Sequence, residues 1–304
     1  MYDNIEFIVA CGGNSTRNYP HSKNASHKGL LPLGDVRLID ITLGQIIKMG
    51  GRHITLVCSN QKVIDTFKEA LRTDKATEEK LRKSGRGAIA DVLAGTFLPE
   101  DTDLKFVIQD KPLGTAHVLG LAHRVSPDRA AVLLFPDDII LSHDENNSNL
   151  KKIVDEFLKD THQVLLTGVE KEDVSNNAIL VDGRLIEKPK NPTSNIGSYS
   201  PFVFPKETMD FIEKQTAEME KTGIMPHGDA NREWYYVDGI NAFLDAEEGK
   251  GFSVQMFLKD DRDELLDTGT LPLYELAQIR ALFEHSVFKE ENKKYARELL
   301  EKNK

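Results

Sequence analysis

Short apolar runs alternate along the chain with segments whose apolar positions recur at helical spacing, and this alternation predicts the elements. Residues 5–11, 54–58, 104–108 and 131–135 read as buried strands, and 38–49, 63–71 and 116–125 read as helices between them. Continuous apolar strands joined by amphipathic crossovers imply an α/β fold on a doubly wound, mainly parallel sheet, with ligands gathering at the carboxyl ends of the strands. The stretch 73–103 is polar, contains glycine and breaks the rhythm, so it is expected to form a helical excursion or flap. Beyond residue 150 the pattern gives a helix to 158, a strand over 164–169 and a hairpin over 179–186 turning at Asp182-Gly183. That half makes the sheet mixed. From residue 271 the chain is helical and heavily charged, which reads chiefly as a solvated amphipathic surface, with a homo-oligomer contact as the lesser alternative. We expect one main domain over 1–270 and a C-terminal helical extension over 271–304.

Composition narrows the function classes. Of 304 residues, 39% are hydrophobic and 29% charged, enough to fill a large core. The net charge of −10 argues against nucleic acid as a partner, since a phosphate backbone would be repelled. Any phosphate must meet a local basic pocket. Cys11 and Cys58 both lie in apolar strand segments and read as packed thiols rather than a disulfide or zinc framework. No stretch approaches the ~20 apolar residues of a membrane helix, so no membrane partner is expected and the cytoplasm is the expected location.

Chemistry concentrates at predicted strand ends. The first strand runs into Gly12, Gly13, Asn14, Ser15, Thr16 and Arg17, where small residues let backbone N–H groups approach an anion and Arg17 supplies a charged fork. The string is neither a GxGxxG dinucleotide fingerprint nor a Walker A loop. Pro20, Lys28, Leu31 and Pro32 follow in the same connection. Later come Gln109-Asp110-Lys111-Pro112-Leu113-Gly114-Thr115-Ala116, Pro136-Asp137-Asp138, Glu187-Lys188-Pro189 and Leu266-Asp267-Thr268-Gly269-Thr270. A lone DTG string also occurs in aspartic proteases, but those need two copies and an all-β body. That rival is set aside. The nine histidines form no nucleophile–base constellation; His27 and His117, though close to motifs, read as loop and helix-surface residues.

Together these segments resemble the sugar-1-phosphate nucleotidyltransferase family, which includes the glucose-1-phosphate uridylyl- and thymidylyltransferases. Gly13, Thr16, Arg17, Pro20, Lys28, Leu31 and Pro32 match its opening signature, with Ser15 in place of a glycine and His27 in place of a proline. The resemblance, which extends to about residue 272, implies a nucleotide-diphospho-sugar transferase-like fold and Mg²⁺ as cofactor. It implies a nucleotide site at Gly12, Gly13, Ser15, Thr16, Gln109, Gly114 and Thr115, with the glutamine reading the base and Gly114 letting the base lie flat. It implies metal ligation by Asp137 and Asp267, and catalytic charge from Arg17, Lys28 and Lys188. The sugar phosphate would lie against Ala178, Glu187, Lys188, Tyr199, Glu233 and Asp238, and Asn177-Ala178 replaces the family's tyrosine-glycine pair. Trp234, Tyr235 and Tyr236 read chiefly as packing aromatics.

The implied reaction joins a nucleoside triphosphate, with UTP favoured, to a sugar 1-phosphate, with glucose 1-phosphate favoured, and releases pyrophosphate. The attacking phosphate is already anionic, so the chain need only position two anions and neutralise charge. Two other readings stay open: a nucleotidyltransferase with a phosphorylated non-sugar acceptor, and a weakly active nucleotide-binding regulatory relative.

Overall fold

The computed structural model describes residues 2–13, 16–24 and 27–302. In chain order, β1 (Ile5–Cys11) leads through 3-10 turns at Thr16–Asn18, His21–Asn24 and Lys28–Leu30 into a small hairpin, β2 (Pro32–Leu33) and β3 (Val36–Arg37). Then follow α1 (Leu38–Lys48), β4 (His53–Cys58), α2 (Gln61–Ala70), α3 (Lys75–Lys83), α4 (Gly87–Gly95), β5 (Asp103–Ile108), α5 (Thr115–Val125), β6 (Ala130–Leu134) and β7 (Asp138–Leu141). The second half contains α6 (Asn149–Phe157), β8 (Gln163–Glu170), β9 (Ala178–Val181), β10 (Arg184–Glu187), β11 (Ile196–Phe204), α7 (Lys206–Thr222) and α8 (Tyr236–Ala246). Last are β12 (Ser253–Leu258), β13 (Glu264–Asp267), α9 (Leu271–Glu284) and α10 (Lys289–Lys302).

A seven-stranded sheet in the order β12-β8-β11-β6-β1-β4-β5 forms the frame. β1 pairs in parallel with both β4 and β6, β4 with β5, and β8 with β12, whereas β11 runs antiparallel to β6 and β8. The sheet is therefore mixed and mainly parallel, as the residue pattern predicts. β1 sits between the strands that follow it in sequence on either side, so the crevice beyond its carboxyl end is where such a fold receives a ligand.

The continuous apolar strands bury both faces. Ile8, Val57, Leu133 and Phe202 meet α5, α7 and α8 on one side, and Phe7, Val9, Ile54 and Val132 meet α1, α2 and α6 on the other. Side-chain caps fix two of those helices at their starts: Asn60 accepts from the N–H of Val63 and Ser148 from that of Lys151. The β9–β10 hairpin turns at Asp182 and Gly183, both with positive φ (47° and 74°), which suits the asparagine, aspartate and glycine preference of tight hairpin turns. The 73–103 excursion is helical, formed by α3 and α4. Cys11 and Cys58 are buried free thiols on adjacent strands. Among the described residues no helix is long and apolar enough to cross a membrane.

The C-terminal segment departs from its expected form. The chain from 271 is only partly a solvated surface: α10 buries nothing, but α9 buries Tyr274, Ala277 and Ala281 against Leu31, Leu33, Leu38, Ile139 and Leu266. Small residues on one face of α9 allow its backbone close to the β2–β3 hairpin, and the Tyr274 hydroxyl donates to the carbonyl oxygen of Pro32.

Candidate functional site

The sequence motifs converge at the carboxyl edge of the sheet. β1 ends at Cys11 and leads into Gly12 and Gly13; β5 ends beside Gln109, whose N–H donates to the carbonyl of Cys58 at 2.8 Å; β6 leads through Pro136 to Asp137. Ser15 lies outside the described residues. Thr16 and Arg17 form an exposed turn, and the neighbouring Asn18, buried at 1% exposure, ties that turn to the carbonyl of Thr268 at 2.9 Å.

Asp137 and Asp267 come together across 130 residues of sequence. The antiparallel β7–β13 ladder sets Asp138 opposite Asp267, and a side chain at Gly269 would stand 3.2 Å from Asp267 Oδ1 and 3.5 Å from Asp137 Oδ2. Both carboxylates thus bracket one point. Asp138 completes an aspartate trio: burial, Asp137 and Asp267 push its carboxyl up to about 8. A register break in β11 at Ser200 turns that residue toward the trio, where its N–H reaches Asp138 Oδ2 at 3.4 Å.

Cations flank these carboxylates. Lys28 forms an ion pair with Asp137; burial opposes ionisation of that carboxyl, but the charge and hydrogen bond of Lys28 hold it below the ordinary range. Lys171 lies 4.0 Å from Asp267 and donates to the Tyr199 hydroxyl at 2.7 Å. Burial works against its charge, but Tyr199, Asp267 and Asp138 outweigh it and raise its pKa. The sequence reading missed Lys171, which stands in a charged string, Glu170-Lys171-Glu172-Asp173, that gives no hint of a turn inward.

The donor set fits a hard divalent cation. It is all oxygen, and it is crowded enough to hold a proton on Asp138, a concentration of negative charge that a bound cation would relieve. Among the described residues the one tight trio of metal-capable side chains is Glu264, Glu284 and His285 at the surface, where Arg280 already bridges both glutamates.

The nucleotide-side residues are stitched together. Gln109, 6% exposed, donates its amide to the carbonyl of Gly114 at 3.0 Å, and its Oε1 would meet a Cβ on Gly12 at 2.7 Å. Gly114 has φ of 109°, and a Cβ there would collide with the Trp234 carbonyl at 2.3 Å. Close backbone approach to 234 is therefore the observed reason for this glycine. Hydrogen bonds from Ala116 to Trp234 and from Tyr236 to the Thr115 hydroxyl complete the seam. Trp234 is buried at 1% exposure, as expected of a packing aromatic. His27 and His117 are not surface residues: they are 1% and 3% exposed, His27 packed on Phe67 and His117 against Gln109. Burial, then the charge of Lys28, lowers the His27 pKa to about 4.

On the acceptor side, Ala178 is buried and pairs with Glu187 across the β9–β10 hairpin. Glu187 is half-buried, and desolvation raises its pKa against the opposing charge of Lys188, 3.5 Å away. Lys188 is exposed, with its ammonium 5.0 Å from the Tyr235 ring centre, and does not contact the aspartate trio. Asp238 caps α8 and grips Arg232 with both oxygens at 3.0 Å, while Glu233 is exposed. Tyr199 is buried and also donates to Asn177 at 3.3 Å. A cavity of about 380 Å³ lies elsewhere, lined by Gln45, Lys48, Leu141, Ser142 and His285, and no predicted site residue borders it.

A UDP-glucose pyrophosphorylase from Acinetobacter baumannii superposes with a TM-score of 0.75 at 19% identity, over 97% of this chain and 99% of that one. The UTP-bound UGPase from Acinetobacter baumannii gives 0.75 at 18% identity over the same shares. A UDP-glucose pyrophosphorylase complexed with UDP-glucose gives 0.66 at 19%, over 90% of this chain and 96% of that one. At these identities the likeness shows the fold. No curated protein matches the chain in sequence. The profile of the nucleotidyl transferase family matches residues 7–245, which takes in every motif segment but that of Asp267, and the chain belongs to that family.

Proposed function

We propose that the chain condenses a nucleoside triphosphate, UTP in first place, with a sugar 1-phosphate, glucose 1-phosphate in first place, to give a nucleotide sugar and pyrophosphate. An oxygen of the sugar phosphate attacks the α-phosphorus, the bond from that phosphorus to the bridging oxygen breaks, and pyrophosphate leaves. The observation that carries this reading is the aspartate trio flanked by Lys28 and Lys171 at the carboxyl edge of the sheet.

In this reading Gly12, Gly13, Ser15 and Thr16 cradle the triphosphate, and Arg17 and Lys28 neutralise it. Gln109, Gly114 and Thr115 bind the nucleoside. Asp137 and Asp267 would hold Mg²⁺, which would supply positive charge against the phosphates. Ala178, Glu187, Tyr199, Glu233 and Asp238 form the acceptor side, with Lys188 on the sugar phosphate. Lys171 adds a charge between the acceptor side and Asp267. Pyrophosphate release measured over a panel of triphosphates and acceptors tests the reading: turnover confined to a non-sugar phosphate acceptor, or none with any pair, would reject it.

A further inference from the structure

Gln109 is held in one orientation, and His117 completes the hold. The Gln109 amide nitrogen lies 3.0 Å from the carbonyl oxygen of Gly114 and 3.2 Å from His117 Nδ1. A backbone carbonyl can only accept, so the atom facing Gly114 is the NH₂ group. Nδ1 of His117 then also faces a donor and must accept, which assigns the ring's one hydrogen to Nε2, 3.6 Å from Glu220 on α7. Both amide hydrogens of Gln109 are thereby used inside the protein. What remains is Oε1, an acceptor lying over the glycine loop, where Gly12 has no side chain to cover it.

We propose that His117 is a positioning residue that locks Gln109 with its acceptor toward the Gly12 loop, so that the nucleotide site selects bases carrying N–H at N3. Uracil and thymine have that donor. Cytosine offers a lone pair at N3, which would face the Gln109 oxygen without a hydrogen between them. The inference rests on the assignment of Gln109 to the base in the proposed function and deepens it by supplying the cause of base choice. It also accounts for a helix histidine at 3% exposure whose burial would otherwise serve only packing.

The test compares wild type, His117→Phe and His117→Asn. Phenylalanine keeps ring bulk and removes the acceptor, whereas asparagine can return an oxygen near the position of Nδ1. kcat/KM is measured with UTP and with CTP at saturating acceptor, and binding of each triphosphate alone is measured by calorimetry. The wild type should prefer UTP by roughly 10- to 100-fold. His117→Phe should shrink that ratio about tenfold, and His117→Asn should restore most of it. An unchanged ratio in a folded His117→Phe protein would reduce His117 to packing and overturn the proposal, as would a wild type that takes CTP as well as UTP. ¹⁵N NMR of the wild-type imidazole covers the case of a variant that does not fold: a proton on Nδ1 instead of Nε2 overturns the proposal directly. A wild type that binds neither triphosphate would reject the nucleotide reading beneath it, a different result from a flat ratio.

Discussion

Thr268 donates both its backbone N–H, at 2.9 Å, and its hydroxyl, at 3.0 Å, to the carbonyl oxygen of Asp137. This double bond of one turn to another, between residues 131 positions apart, fixes the Asp267 carboxylate relative to that of Asp137. Asn18 then binds the Thr268 carbonyl and brings the glycine-loop connection to the same place. Three segments from the two ends and the middle of the chain are thus joined through one buried threonine.

Removing either carboxylate should abolish metal binding while leaving the fold. Asp137→Asn and Asp267→Asn should each lower kcat by on the order of 10²-fold or more, and the rise in Tm expected of the wild type on adding Mg²⁺ should be absent from both. Thermal scans with and without Mg²⁺ check this; a normal Mg²⁺ response in either variant removes that residue from the metal site.

Asp138 makes the metal-free stability depend on pH. Its carboxyl is pushed up to about 8, from an unfolded value near 4, so the folded chain holds a proton that the unfolded chain has lost between those pH values. The contribution is fully present below about pH 4 and is lost as pH rises through about 8. Without a divalent cation, denaturant unfolding should therefore show a component that weakens from pH 5 to 8, and Asp138→Asn should flatten it. A wild type and variant with parallel pH profiles would contradict the crowding of the trio.

The elements follow the hydrophobic pattern closely because strands buried on both faces and amphipathic helices carry distinct periods, and the hairpin turn declares itself through Asp182-Gly183. Contacts between distant segments leave no such trace. Lys171 meets Asp267 and Asn18 meets Thr268 across gaps that no local period spans. Helical spacing puts His117 on a surface because it does not say whether a second layer covers that face, and α7 covers it. The partner of Tyr274 is hidden for the same reason: its helix carries apolar residues all round, with Leu273, Leu276 and Ile279 exposed, and only the face of Tyr274, Ala277 and Ala281 packs on the β2–β3 hairpin.

Lys171 offers a check on the acceptor side. Lys171→Met should lower kcat/KM by about 10-fold or more through loss of charge beside Asp267, and Lys171→Arg should recover part of it. Initial rates with each substrate varied in turn should find the triphosphate KM little changed. A loss confined to Tm would mean that Lys171 only buttresses Tyr199.

Gly114 tests the seam between the nucleotide and acceptor sides. Gly114→Ala puts a methyl against the Trp234 carbonyl at a φ unsuited to alanine, at a cost of about 1–3 kcal/mol in stability. Equilibrium unfolding measures it, and a cost near zero would mean that the 234 segment moves aside freely.

The most direct measurement follows the phosphorus atoms themselves. With UTP, glucose 1-phosphate and Mg²⁺, ³¹P NMR should show the triphosphate and monophosphate signals replaced, one for one, by a nucleotide-sugar diphosphate pair and free pyrophosphate. Adding excess pyrophosphate should then drive the signals back. Release of UMP and pyrophosphate with the sugar phosphate untouched, or no consumption of triphosphate at all, would contradict the account.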